Sequence, residues 1–124
     1  LLICSILSER QIQEYIGICD EMGISALVEA HDEKEVTMAV RAGARLIGIN
    51  NRNLGTFFTD VENSFRLAGQ LPQDAVLVSE SGISDPQTVK RLQTAGFRGF
   101  LIGETFMRTT QPGNTLGNFL QAIQ

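Results

Sequence analysis

The sequence has little of what several classes of protein require. Its 124 residues include one histidine, two cysteines and no tryptophan. Zinc sites and disulfide frameworks need clustered histidine or cysteine, so neither is expected, and we predict that Cys4 and Cys19 are buried thiols. No apolar run approaches the roughly 20 residues that a membrane helix needs. We therefore expect a cytoplasmic protein without a membrane partner.

Basic residues are also few and scattered. Ten lysines and arginines stand against fourteen acidic residues, which gives a net charge of −4. Nucleic-acid binding requires a basic stripe along the phosphate backbone, and the sequence has no such stripe. The charge balance excludes a nucleic-acid partner and favours a small-molecule partner. With 43% hydrophobic residues, we expect residues 1–124 to form a single globular unit.

Apolar segments alternate with amphipathic segments along the whole chain. The predicted strands cover residues 1–7, 26–31, 45–50, 75–80 and 99–103. Two predicted helices begin at capping boxes, formed by Ser8 with Gln11 and by Asp32 with Glu35. Two more cover residues 60–69 and 86–95, and the last two begin at Glu104 and near Pro112. This alternation is typical of parallel βαβ units with right-handed crossovers. Because residues 1–4 read as the inside of a strand, we expect the chain to be a piece of a longer one.

One predicted strand, residues 75–80, ends abruptly at a carboxylate. Glu80 is followed by the small turn Ser81-Gly82 and then by a helix that starts at Pro86. An unpaired charge at the end of an apolar strand is costly to bury, so Glu80 needs a partner or a catalytic role. Strand, acid, glycine turn and helix are typical of the active-site edge of a parallel α/β protein. The alternative is a structural carboxylate that accepts hydrogen bonds from backbone amides.

Two other strands end in the same way. Side chains alternate along a strand, and the last side chain on one face is polar in three strands, namely Glu29, Asn50 and Glu80. If these faces line a barrel, the three side chains converge at its carboxyl mouth. Two carboxylates and an amide can supply a general base and orienting hydrogen bonds. The alternative is that they only satisfy loop amides.

Two small turns could hold a phosphate group. Ser81-Gly82 follows the fourth predicted strand, and Gly103-Glu104 follows the fifth. Backbone amides at such turns bind phosphate, although the charge of Glu104 would repel an anion unless its side chain points away. Arg52, in the polar loop after the third strand, could bind a substrate carboxylate. We expect His31 to hydrogen-bond a loop rather than to act as a catalyst.

Four ordered motifs together resemble the indole-3-glycerol phosphate synthase family of tryptophan biosynthesis. They are Leu-Val-Glu-Ala-His-Asp at 27–32, Ile-Gly-Ile-Asn-Asn-Arg-Asn-Leu at 47–54, Val-Ser-Glu-Ser-Gly-Ile at 78–83 and Phe-Leu-Ile-Gly-Glu at 100–104. The resemblance implies a (βα)8 TIM barrel, of which this chain is the carboxyl-terminal part, from about the fourth strand to the eighth. It also implies a carbon-carbon lyase that closes the indole ring of 1-(2-carboxyphenylamino)-1-deoxyribulose 5-phosphate, losing carbon dioxide and water, with no cofactor and no metal.

The resemblance assigns roles to individual residues. By position, Glu29 matches the proposed general base, and Asn50 and Glu80 match substrate-orienting groups. The phosphate cradle corresponds to Ser81, Gly82, Gly103 and Glu104. An arginine near the anthranilate end corresponds to Arg52, and apolar pocket positions correspond to Leu1 and Leu101.

The family's catalytic lysines lie on strands that would precede Leu1. Lys34 and Lys90, the two lysines present, fall on predicted helices and cannot replace them. We therefore expect the 124-residue chain alone to be inactive, and we expect a partial barrel to self-associate through its exposed edges. The alternatives are a non-catalytic phosphate-binding half-barrel and another phosphate-binding barrel, such as phosphoribosylanthranilate isomerase.

Overall fold

A computed structural model describes residues 1–124 as one parallel sheet with helices packed against it. The strands are β1 (Leu2–Ile3), β2 (Val28–Ala30), β3 (Leu46–Asn50), β4 (Val76–Glu80) and β5 (Gly99–Leu101). The helices are α1 (Glu9–Met22), α2 (Glu33–Arg41), α3 (Glu62–Ala68), α4 (Pro86–Thr94), α5 (Glu104–Met107) and α6 (Pro112–Ile123).

The five strands lie side by side in chain order, and every pair is parallel. Right-handed crossovers between strands in sequential order place the connecting helices on the same face of the sheet. This is the arrangement of a TIM-barrel wall, with β1 and β5 as open edges. The prediction of parallel βα units from a partial barrel is confirmed.

The core lies between the sheet and the helices. The strand side chains that point towards the helices, such as Val28, Ile47 and Ile49, are fully buried. They belong to a cluster of 20 buried apolar residues that includes Ile12 of α1 and Leu92 of α4. Because side chains alternate along a strand, the opposite face carries a separate set of residues.

That opposite face, which would line the inside of a barrel, leaves several apolar side chains open to solvent. Leu1 is 66% exposed, Val76 48% and Leu101 54%. Burying apolar area of this kind is favourable by about 25 cal/mol per Å². Burying this open face against another surface would therefore stabilise the protein more than burying any other part of the sheet.

Short-range hydrogen bonds set the starts of the helices. Ser8 and Gln11 form the predicted reciprocal capping box of α1. Asp32 accepts a hydrogen bond from the Glu35 N–H, as expected of a cap, but the Glu35 carboxylate binds the His31 N–H at 2.7 Å. Only one of the two bonds of the predicted capping box at Asp32 and Glu35 is therefore formed. The Glu35 carboxylate accepts from the N–H of His31, the residue before the cap, and not from the N–H of Asp32.

Several predicted boundaries are too wide. The first strand is expected over residues 1–7, but β1 covers only Leu2–Ile3 because its single neighbour, β2, is itself three residues long. Helix α3 is expected from residue 60, but the Asp60 side chain accepts from the Glu62 N–H and so lies outside the helix. Strands β2 and β5 are also shorter than expected.

The two cysteines are free thiols. Cys4 is buried as predicted, and burial together with nearby carboxylates raises its pKa to about 12, so it stays protonated. Cys19 is only partly buried. Among the helices, none is both long enough and apolar enough to cross a membrane.

Candidate active site

The carboxyl ends of β2, β3, β4 and β5 bring the predicted polar residues to one edge of the sheet. Asn50 is paired in register with Glu80, and Glu80 with Leu101. Glu29 lies in register with Gly48 of β3, two residues closer than Asn50 to the amino end of that strand. The side chains of Glu29, Asn50 and Glu80 are all buried, at 6%, 6% and 2% exposure.

Glu80 and Glu29 meet across Gly48. A Cβ atom on Gly48 would overlap Glu80 Oε1 and lie 2.9 Å from its Cδ, so the Glu80 carboxyl occupies the space that a side chain would fill. Because Gly48 separates the two strands that carry the acids, this space lets Glu80 reach back to the level of Glu29. There the Glu29 carboxyl acts on the Glu80 carboxyl, both through its charge and as a hydrogen-bonding neighbour.

This contact changes the protonation of Glu80. Burial, the hydrogen bond to Glu29 and the Glu29 charge, in that order, raise the pKa of Glu80 from 4.5 to about 8. A hydrogen bond between two carboxyl groups requires a proton on one of them, since a carboxylate only accepts. Glu80 Oε1 has no partner in the protein, which also favours the neutral form. The pair therefore carries one proton near neutral pH and can both accept and donate one.

Asn50 is held by the loop that follows it. Its Oδ1 accepts from the Arg52 N–H at 2.9 Å, and its carbonyl oxygen accepts from His31 Nδ1 at 2.6 Å and from Asn63 Nδ2 at 3.2 Å. Since a carbonyl only accepts, His31 carries its proton on Nδ1, and it makes a structural hydrogen bond as expected. The Nδ2 atom of Asn50 has no hydrogen-bond partner in the protein. Glu80 Oε1 is the only fully buried polar side-chain atom that lacks a partner, so Asn50 Nδ2 must be accessible to solvent.

The turn Ser81-Gly82 has a left-handed backbone. Ser81 has a φ of 68° and Gly82 a φ of 73°. This conformation is natural for glycine but costs a residue with a side chain about 1–3 kcal/mol, and such strain concentrates at functional sites. Gly82 is doubly constrained, because a Cβ atom there would lie 2.7 Å from Thr59 Cγ2.

A cleft of about 600 Å³ lies beside this turn. Its lining includes Arg52, Ser81, Gly82, Gly103 and Glu104, together with the side chain of Arg108. Both predicted phosphate-binding turns and the predicted arginine therefore share one cleft. The exposed residue Leu101 lines the same cleft, on the open face of the sheet.

The expected repulsion by Glu104 is offset by two arginines. Arg108 Nη2 donates to Glu104 Oε1, and Arg52 Nη2 donates to Glu104 Oε2 at 3.0 Å. Arg108 first, and then Arg52, hold the pKa of Glu104 below its usual value. The cleft thus has two guanidinium groups against one carboxylate, an excess of one positive charge.

A sequence model of indole-3-glycerol phosphate synthase matches residues 1–119. The chain belongs to the indole-3-glycerol phosphate synthase family. Two relatives with that name are found in Bacteroides thetaiotaomicron, 66% identical over 124 residues, and in Lachnoclostridium phytofermentans, 52% identical over 110 residues. The alignments cover 100% and 89% of this chain but 47% and 41% of the relatives. This synthase-family chain thus spans about half the length of the curated relatives it matches.

Solved structures with lower sequence identity have the same fold. A 3-hexulose-6-phosphate synthase from Salmonella typhimurium aligns with a TM-score of 0.77 at 18% identity, over 98% of this chain and 59% of its own. An N-acetylmannosamine-6-phosphate 2-epimerase from Clostridium perfringens aligns with a TM-score of 0.63 at 13% identity, over 91% and 49%. At such identity the likeness shows the fold of this synthase-family chain and nothing about its chemistry.

Three residues of the site are absent from the sequence predictions. Gly48 has a recognisable signal, because a glycine inside a strand often marks a close approach of another group. Asn51, whose side chain binds the Ser81 carbonyl oxygen, has none, since its partners come from separate elements. Arg108 lies four residues after Glu104, at the carboxyl end of the short helix α5, and this spacing could have indicated the ion pair.

Replacing Gly48 tests the space between the acids. The Gly48→Ala variant is expected to lose stability, because its Cβ overlaps the Glu80 carboxyl and forces this buried group to move. Gly17→Ala is the matched control, since Gly17 lies in α1 with open space where a Cβ atom would stand, and it should gain about 0.5–1 kcal/mol. Urea denaturation measures both. Equal stabilisation by the two alanine substitutions would show that the Glu80 carboxyl does not need the space beside Gly48.

The raised pKa of Glu80 makes stability depend on pH. The folded protein keeps the Glu80 proton up to about pH 8, whereas the unfolded chain releases it near pH 4.5. Between these values the folded state binds more protons, so the free energy of unfolding falls as pH rises. The glutamine of Glu80→Gln does not titrate. Its free energy of unfolding relative to that of the unmutated protein should therefore rise as pH increases across that range. Parallel pH profiles in urea denaturation would contradict the assignment.

Proposed function

We propose that this chain supplies part of the active site of an enzyme that forms indole-3-glycerol phosphate. The reaction closes the indole ring of 1-(2-carboxyphenylamino)-1-deoxyribulose 5-phosphate with loss of carbon dioxide and water. The main support is the contact between Glu29 and Glu80, because a buried carboxyl pair that holds one proton suits a reaction with several proton transfers. Family membership names the reaction.

Each polar residue at the sheet edge has a role in this proposal. Glu29 acts as the general base, while Glu80 holds the shared proton and orients the substrate. Asn50 donates an orienting hydrogen bond from Nδ2, the amide atom that no protein group uses. The burial of these three side chains strengthens their electrostatic interactions with substrate.

The phosphorylated end of the substrate lies in the adjoining cleft. Ser81, Gly82 and Gly103 supply the cradle, with Glu104 at its edge. Arg52 lines this cleft and adds to its positive charge, and the exposed side chains of Leu1 and Leu101 contact the aromatic ring. The excess positive charge of the cleft favours an anion.

The family's catalytic lysines are not supplied by this chain. Lys34 lies in α2 and Lys90 in α4, the helices predicted to carry them. Without a general acid and a group for the substrate carboxylate, the 124-residue chain alone should not close the ring at a useful rate. The cytoplasmic location expected from the sequence stays a prediction.

A chimera tests the proposed reaction. Residues 1–124 are joined to the amino-terminal part of the Bacteroides thetaiotaomicron relative in place of the segment that they match. The chimera should form indole-3-glycerol phosphate, detected by its fluorescence, and residues 1–124 alone should not. Glu29→Gln should lower kcat of the chimera by roughly 10²- to 10⁴-fold, the usual loss of a general base.

Glu21→Gln is the matched control for this variant, because Glu21 is exposed on α1 and remote from the sheet edge. It should leave kcat unchanged. A well-folded chimera without ring closure, or one in which Glu29→Gln and Glu21→Gln behave alike, would contradict the proposal. Robust turnover by residues 1–124 alone would contradict the expected need for the lysines.

We also propose that residues 1–124, when isolated, self-associate. The open face exposes Leu1, Val76 and Leu101, and the backbones of β1 and β5 each have an unpaired edge. Exposed apolar surface and free strand edges favour association between copies. Sedimentation should show a dimer or larger species, and Val76→Lys should shift it towards monomer. A monomer at high concentration would contradict this prediction.

A further inference from the structure

The buried side chain of Asn51 lies directly behind the strained turn. Asn51 is 1% exposed and uses both polar atoms of its carboxamide. Its Nδ2 donates to Ser79 Oγ at 3.1 Å and to the Ser81 carbonyl oxygen at 2.9 Å. Its Oδ1 accepts from the N–H and the hydroxyl of Ser64, at 3.0 Å and 2.8 Å. The Asn51 side chain is thus hydrogen-bonded to β4, to helix α3 and to the turn.

The bond to the Ser81 carbonyl fixes an entire peptide unit. The Ser81 carbonyl and the Gly82 N–H belong to the same planar trans peptide, so they point in opposite directions. Asn51 holds the carbonyl on the buried side, and the Gly82 N–H therefore points away from this buried network. That N–H donates to no backbone or side-chain group of the protein. Gly82 lines the cleft, where a bound anion would accept from it.

We propose that Asn51 is a positioning residue that orients the Gly82 N–H towards the phosphate group of the substrate. The inference rests on the proposed function for the identity of the substrate. The strained φ of Ser81 supports it, because a left-handed serine persists only where its surroundings hold it. On the far side of the turn, Thr105 Oγ1 binds the Ile83 carbonyl oxygen at 2.6 Å, so the turn is fixed at both ends.

Replacing Asn51 should weaken phosphate binding more than it slows the chemistry. In Asn51→Ala the Ser81–Gly82 peptide is free to rotate, and the loss of one hydrogen bond to a charged group should raise KM by roughly 10- to 100-fold. We expect kcat to change by less than about threefold, because Glu29, Asn50 and Glu80 are retained. The chimera with residues 1–124 is the protein to be measured.

Ser64→Ala is the matched control. It disrupts the same buried network, including the 2.7 Å contact between the Ser64 and Ser79 hydroxyls, but leaves the bond from Asn51 to the Ser81 carbonyl. It should lower Tm without raising KM. If Asn51→Ala does not fold, Asn51→Leu serves instead, since an apolar side chain of similar shape cannot donate to that carbonyl.

A second readout separates this inference from the proposed reaction. Titration with inorganic phosphate, followed through the amide NMR signal of Gly82, should give a Kd that rises in Asn51→Ala and stays constant in Ser64→Ala. An inactive chimera that behaves in this way would refute the reaction and support the role of Asn51. Equal changes of KM and phosphate Kd in both variants, or a fall in kcat alone, would overturn the role of Asn51.

Discussion

The site depends on two acids being held together across a glycine. Glu29 and Glu80 come from strands separated by β3, and the Glu80 carboxyl can extend towards Glu29 because Gly48 has no side chain in the space between them. Parallel pairing in this register is what places Gly48 between them. Burying two carboxylates side by side is unfavourable, so one proton stays on the pair and the pKa of Glu80 rises. The reactivity that we propose for the site follows from this unfavourable contact.

A second constraint lies at the end of the site where we place the phosphate group. The turn after β4 contains Ser81 in a left-handed conformation, where a glycine would not be strained. The buried carboxamide of Asn51 holds this conformation through its hydrogen bond to the Ser81 carbonyl oxygen. Asn51 stands between Asn50 and Arg52 in the chain, while its side chain points to the opposite side of the sheet edge from the Asn50 pair with Glu80. The short segment Asn50–Arg52 therefore supplies a neighbour of the acid pair, the arginine of the cleft and the support of the turn for which we propose phosphate binding.

Much of the fold could be predicted because its signals are local. The alternation along residues 76–80 places Glu80 on one face, and the spacing of Ser8 and Gln11 gives a capping box. The length of β1 could not be predicted, since it depends on how far β2 extends beside it. The charge balance at Glu104 and the contacts of Asn51 also required tertiary structure, because Arg52, Ser64 and Ser79 reach them from distant parts of the chain.

The protonation of Glu80 is the property on which the proposed chemistry depends most directly. Protein labelled with ¹³C at the glutamate carboxyl carbon can be titrated by NMR, with Glu80→Gln to assign the signal. We predict that Glu80 titrates near pH 8, far above the 4.5 of an ordinary glutamate. Titration of Glu80 near pH 4.5 would show that the two carboxyl groups do not share a proton, and the proposed chemistry of the pair would fail with it.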